Sequence, residues 1–216
     1  MKTIMMIDGG PRKGMNTSQM GEAFAKGVKS VSDEIEVKTV RLYDLDYKGC
    51  RSCMACKLKN KWTNVCVFKD GLQETLNEVA CADGLVLLSP IYCCDITAQL
   101  RAFFERLTFP WLNYVDLSSV APRRIPSALV YTMNAPEEQA KMILDNLRVV
   151  EWLVSRGLGD VEQIVAYNTY QVKDYGRYEF PEGYAQAKQA YKDARWQADI
   201  QNAFDAGKRM AEKILA

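Results

Sequence analysis

The chain has 216 residues, 48% of them hydrophobic and 25% charged, with a formal net charge of +1. That suits one well-buried domain rather than two, and the near-neutral balance gives no overall field for nucleic acid or an acidic membrane. Histidine is absent, which excludes Ser-His-Asp and Cys-His catalysis and imidazole zinc sites, so demanding chemistry must come from cysteine, a carboxylate, tyrosine or a borrowed cofactor.

Residues 3–8 (TIMMID) form a nearly all-apolar run that ends at Gly9-Gly10-Pro11, the pattern of a strand buried on both faces. Asn16-Thr17-Ser18 supply N-cap chemistry for an amphipathic helix to about Val31, with Met20, Phe24 and Val28 at four-residue spacing. Residues 36–42 (EVKTVRL) alternate as an edge strand. A helix over 70–82 carries Leu72, Leu76, Val79 and Ala80, and places Cys81 as core packing. Residues 84–88 (GLVLL) are a second buried strand, followed by a helix over 97–112 with Leu100, Phe103, Phe104 and Leu107 inward. A strand over 127–133, a helix over 137–156 stopped near Gly157-Leu158-Gly159, and a strand over 161–167 complete the alternation. A polar, alanine-rich helical tail fills 180–216.

Five strands alternating with helices predict an α/β domain over 1–216: a doubly wound, five-stranded parallel sheet with helices on both faces and a long C-terminal helical tail. Ligands of such sheets sit outside the carboxyl ends of the strands, at the topological switch point. That places residues 9–18, 89–95 and 132–136 on the working edge. No apolar run approaches the ~20 residues of a membrane span. The opening Met1-Lys2-Thr3-Ile4 lacks a secretory cleavage pattern, so the expected location is cytoplasmic, with no nucleic-acid or membrane partner.

The first loop, Gly9-Gly10-Pro11-Arg12-Lys13-Gly14-Met15-Asn16-Thr17-Ser18, turns through glycines into a helix N-terminus, where free N–H groups and the positive dipole end suit a phosphate. Arg12 adds a charge, Asn16 an amide, Thr17 and Ser18 hydroxyls; a solvated turn with a helix cap is the alternative. The second loop, Ser89-Pro90-Ile91-Tyr92-Cys93-Cys94-Asp95, leads into Ile96-Thr97-Ala98-Gln99-Leu100-Arg101-Ala102-Phe103-Phe104-Glu105-Arg106. Tyr92 offers a flat ring contact, and the backbone of 91–95 offers donors for a polar ring edge.

Both loops resemble those of the flavodoxin-like NAD(P)H-dependent FMN reductases, including their iron–sulfur flavoprotein branch. The first is similar to that family's Gly-Ser-Pro-Arg…Asn-Thr element, which wraps the FMN phosphate, with Gly10 where serine is usual. The second is similar to its Ser-Pro-Val-Tyr…Ala-Gln-Leu-Lys-Ala-Phe-x-Asp-Arg segment, which lies along the isoalloxazine ring; Cys94 stands where glycine is usual. The resemblance implies FMN held by Gly10, Pro11, Arg12, Asn16, Thr17 and Ser18 and by Pro90, Ile91, Tyr92, Cys93, Cys94 and Asp95. Thr132, Met133 and Asn134 join as a third flavin-facing loop by position. No side chain is assigned as an acid or base.

Seven cysteines, an odd number, point to reduced thiols or metal ligands rather than disulfides. Cys50-x2-Cys53-x2-Cys56, followed by Cys66, can converge on one metal centre. The spacing resembles the compact motif with which iron–sulfur flavoproteins bind a [4Fe–4S] cluster. Redox-active or buried thiols without metal, and a zinc site, are the alternatives. From Lys48 to Lys69 inclusive there are six basic residues and no acidic one, a surplus that would lower thiol pKa values, balance an anionic cluster or attract the 2′-phosphate of NADPH. The function so implied is an FMN-dependent NAD(P)H oxidoreductase delivering electrons to a quinone, flavin or other small acceptor. An electron relay from ferredoxin through FMN and a cluster, or a flavin- or redox-sensing module, are the competing functions. Relatives of this kind form homodimers or homotetramers, and the tail is placed either at such an interface or over its own sheet.

Overall fold

The computed structural model describes residues 1–216. In chain order the elements are β1 (Lys2–Asp8), α1 (Asn16–Val31), β2 (Ile35–Arg41), α2 (Gln73–Cys81), β3 (Gly84–Tyr92) and β4 (Asp95–Ile96). They continue as α3 (Ala98–Thr108), β5 (Ser127–Thr132), α4 (Lys141–Leu158), β6 (Val161–Ala166) and α5 (Tyr184–Leu215). Five strands run parallel in the order β2-β1-β3-β5-β6, and the two-residue β4 turns back antiparallel on the end of β3. This is the flavodoxin-like order, with its switch point between β1 and β3.

The strand pleat divides the core. Ile4 and Met6 of β1, with Val86 and Leu88 of β3, face α1 and α5, while Met5 and Ile7, with Leu85 and Leu87, face α2, α3 and α4. Both faces are covered, which is why β1 and β3 read as continuous apolar runs. Helices α1 and α5 approach through glycines: a Cβ on Gly27 would lie 1.9 Å from the Phe204 carbonyl oxygen, and one on Gly207 2.1 Å from that of Phe24. The second half of the tail therefore covers its own sheet.

Several boundaries differ from the sequence expectation for local reasons. The helix expected over 97–112 ends at Thr108 and passes into a tight turn, Phe109–Trp111, because Pro110 cannot continue it. After Pro136, a short turn (Glu137–Gln139) delays α4 to Lys141, and the helix accepts Gly157 and stops at Gly159, φ +109°. Cys81 is exposed, not core, because Leu72, Leu76 and Val79 form the inward stripe of this segment. No helix is long and apolar enough to cross a membrane.

Candidate flavin site and cysteine loop

The three loops expected at the switch point meet there and are tied to one another. Thr97 caps α3 by accepting from the Leu100 N–H (3.2 Å), and its hydroxyl donates to the Gly9 carbonyl (2.7 Å), joining the second loop to the first. The hydroxyls of Thr17 and Thr132, both buried, lie 2.7 Å apart and join the first loop to the third. Gly9 approaches α3 so closely that a Cβ there would lie 2.7 Å from Leu100 Cβ. Thr97 thus belongs to the candidate site although sequence reasoning did not select it, and a threonine preceding an apolar helical stripe is a cap signal.

Helix α1 begins at Asn16 behind an extended Met15, not with Asn16-Thr17-Ser18 as its cap, and no side chain caps it. Its first intrahelical bond runs from the Gln19 N–H to the Met15 carbonyl (3.0 Å), so the N–H groups of Asn16, Thr17 and Ser18 precede the ladder. The side chains expected to cap the helix reach elsewhere: Asn16 Nδ2 donates to the Tyr170 carbonyl (2.6 Å), and Ser18 Oγ to the Arg12 carbonyl (3.4 Å). Arg12 Nη1 donates to the Gln171 carbonyl. Gly10 is buried, and its N–H donates to Asp8 Oδ1 (2.7 Å), so it is not open for a ligand. Pro11 is half-buried beside it. Burial raises the Asp8 pKa, against the Gly10 N–H and the Arg41 guanidinium, which binds Asp8 Oδ2 at 2.9 Å.

In the second loop, Ile91 pairs with Ile96 and Tyr92 with Asp95, closing a two-residue hairpin over Cys93 and Cys94. Both cysteines have positive φ, +50° and +63°, as this tight turn demands. The Cys94 side chain is thus accommodated in the left-handed backbone that glycine ordinarily supplies. Pro90 is buried at the strand end, Tyr92 is 43% exposed, and Asp95 is held by Arg101 Nη2 at 2.6 and 2.7 Å. In the third loop, Thr132 pairs in register with Pro90, Met133 is buried, and half-buried Asn134 accepts from Tyr184 through its side chain (3.0 Å) and from Lys188 through its carbonyl (2.9 Å).

These features fit a flavin mononucleotide. Uncapped N–H groups with flanking hydroxyls suit a phosphate, and an exposed tyrosine beside a tight backbone hairpin suits a planar ring.

The cysteine loop leaves β2 and returns to α2. Cys50 and Cys53 are exposed, Cys66 half-buried and Cys56 buried, and all four line one small cavity of about 20 Å³ together with Arg106 and Phe68. Ser52 and Met54, on either side of Cys53, have φ of +52° and +59°. No three Cys, Asp or Glu side chains converge as a site for a single metal ion. In donor chemistry the set fits an all-thiolate centre, around a space that a cluster would have to widen. Burial raises the Cys56 thiol pKa and Lys57 only partly opposes it, so the basic surplus does not activate this thiol. Arg106 holds both ends of the loop, donating to the carbonyls of Lys48 (3.2 Å) and Phe68 (2.9 Å) and to Asp70.

Residues 2–133 match the family described as NADPH-dependent FMN reductase. The chain belongs to this family. Among curated relatives, it is 30% identical over 141 residues to an iron–sulfur flavoprotein of Archaeoglobus fulgidus, covering 65% of this chain and 59% of that protein. It is 31% identical over 103 residues to an iron–sulfur flavoprotein of Methanosarcina thermophila, covering 48% and 51%. The match thus spans somewhat over half the length of these relatives. The fold is also that of the NAD(P)H:quinone oxidoreductase from Methanothermobacter marburgensis, with TM-score 0.70 at 14% identity over 96% of both chains. An FMN-dependent NADH-azoreductase from Bacillus anthracis, in complex with FMN, superposes with TM-score 0.64 at 13% identity over 98% of this chain and 100% of its own.

Proposed function

We propose that residues 1–216 work as one FMN-binding domain that carries electrons from NAD(P)H to a small acceptor such as a quinone, a flavin or another reducible aromatic compound. The observation that carries this reading is the assembly of three tied loops at the β1/β3 switch point, in front of the uncapped N-terminus of α1. When bound, FMN supplies the redox chemistry, accepting hydride equivalents from a nicotinamide and releasing them to the acceptor. The chain binds and orients. The N–H groups of Asn16, Thr17 and Ser18 take the phosphate, with the Arg12 guanidinium beside it, held by the Gln171 carbonyl. Backbone groups of 91–95 address the polar edge of the ring, and Tyr92, Thr132, Met133 and Asn134 form its walls. The test is anaerobic mixing of FMN-loaded protein with NADH or NADPH. Bleaching of the flavin absorbance with at least one nicotinamide is expected, and no bleaching with either refutes the reading.

A second reading is favoured by one observation, the four thiols around a single cavity in a chain whose curated relatives are named iron–sulfur flavoproteins. Under it, Cys50, Cys53, Cys56 and Cys66 hold a [4Fe–4S] cluster, and a ferredoxin is a partner. Iron and acid-labile sulfide in anaerobically purified protein, about four of each per chain, would support it. Flavin bands alone would return the cysteines to the role of free thiols.

A further inference from the structure

The family match ends at residue 133. Beyond it, residues 168–188 fasten themselves to two of the three expected flavin loops. Tyr170 and Gln171 offer their carbonyls to Asn16 and Arg12 of the phosphate loop. From the same segment, the Tyr184 hydroxyl donates to Asn134 Oδ1 (3.0 Å), with Gln171 Oε1 also within reach at 3.2 Å. An aromatic cluster stiffens it: Phe180 stacks on Tyr184 with centroids 4.8 Å apart, and Tyr175 lies 5.0 Å from Phe180 and 5.2 Å from Tyr170.

At the base of this segment is Lys188, only 3% exposed. Its ammonium donates to the Asn134 carbonyl (2.9 Å) and to Asn168 Oδ1 and lies 5.4 Å from the Tyr184 ring centroid. All of these partners are neutral. A buried cation without a carboxylate is costly to desolvate, and the groups that touch this one supply no negative charge. Burial lowers its pKa to about 8, which leaves it largely protonated at neutral pH.

We infer that residues 168–188 form a fourth wall of the flavin site, and that Lys188, acting through Asn134 and Asn168, is the fixed positive charge that favours the reduced, anionic state of the flavin over the oxidised, neutral one. This rests on the FMN reading above. The physical basis is that a nearby cation stabilises whichever redox state carries negative charge. Lys188 is a positioning residue under this assignment, not a catalytic one.

The test compares wild type, Lys188→Gln and Lys188→Arg by dye-linked anaerobic equilibration of bound FMN, with dissociation constants for oxidised FMN measured in parallel. Lys188→Gln keeps a donor for the Asn134 carbonyl and removes the charge. Its affinity for reduced FMN should fall at least tenfold more than for oxidised FMN, a downward shift of about 30 mV or more for a two-electron couple. Lys188→Arg should restore the wild-type potential, and Lys208→Gln, which removes an exposed lysine elsewhere on α5, should leave it in place. Equal weakening of both redox states, or an unchanged potential in Lys188→Gln, overturns the inference and leaves a purely structural lysine. If Lys188→Gln does not fold, Asn168→Asp pairs the same ammonium in place, and absence of a downward shift there overturns it equally. Failure of the wild-type chain to bind FMN refutes the function instead.

Discussion

Replacing Arg106 with methionine separates the two things this residue does. Its side chain is 1% exposed, and its guanidinium serves Asp70 (16% exposed), the Lys48 carbonyl and the Phe68 carbonyl, so methionine fills much of the volume and supplies none of the donors. Removing one partner of a buried pair costs about 3–5 kcal/mol, and the partial exposure of Asp70, with its second bond from the Leu72 N–H at 3.0 Å, places this case near the lower end. For a chain of this size that lowers Tm by about 6–12 °C. Burial opposes ionisation of Asp70, but Arg106 and the Leu72 N–H hold its carboxyl below the usual 3.8, so the pair stabilises above that pH and is lost as pH falls further. The assay is urea unfolding of wild type, Arg106→Met and Arg106→Met/Asp70→Asn at pH 7, with thiol-reagent kinetics on the folded proteins. The double variant should recover about 1–2 kcal/mol, because no uncompensated carboxylate remains. Cys56 and Cys66 should react at least tenfold faster in the single variant, since both ends of their loop lose their anchor. A loss below ~1 kcal/mol, or unchanged thiol rates beside a full loss, would refute the clamp.

Gly207→Ala should be among the most damaging methyl additions in the chain, because the new Cβ would sit 2.1 Å from the Phe24 carbonyl oxygen and force α5 off α1. Calorimetry should record a loss of about 2–3 kcal/mol and limited proteolysis should find α5 cleavable; an unchanged Tm contradicts backbone-to-backbone packing there. Asp199→Asn acts in the opposite sense. Burial raises the Asp199 pKa from 3.8 to about 6, against Arg195 and with help from Glu137. The folded state therefore holds a proton that the unfolded chain gives up between those values, and ionised Asp199 destabilises the fold above pH 6. The substitution should stabilise by about 1 kcal/mol at pH 7.5, discounted for partial solvent access, and the gain should vanish at pH 4. Denaturation curves at the two pH values check it; a gain equal at both contradicts the assigned cause.

What was legible in the sequence follows the range of the interactions involved. Strands β1 and β3 announce themselves because burial on both faces leaves only apolar residues, and the strand–helix alternation then constrains the topology. The two loops at their ends are legible as local chemistry, glycines and polar residues ahead of a helix. Three features were hidden. The Cys93-Cys94 hairpin carries none of the Asn-Gly chemistry that marks such a turn, since two left-handed cysteines are imposed by Ile91–Ile96 and Tyr92–Asp95 pairing. Gly27 and Gly207 read locally as weak points of helices, and their value exists only where the two helices cross. Lys188 reads as one charge on a polar helix, yet its partners lie 54 and 20 residues back, at Asn134 and Asn168. A solvated lysine and a buried one have the same local pattern, and only the chain's return to the sheet edge distinguishes them. That same return brings Tyr170, Gln171 and Tyr184 to loops whose chemistry was readable from the start. The loops carry chemistry that suits a phosphate and a planar ring, whereas the segment fastened to them is defined only by contacts made across the chain.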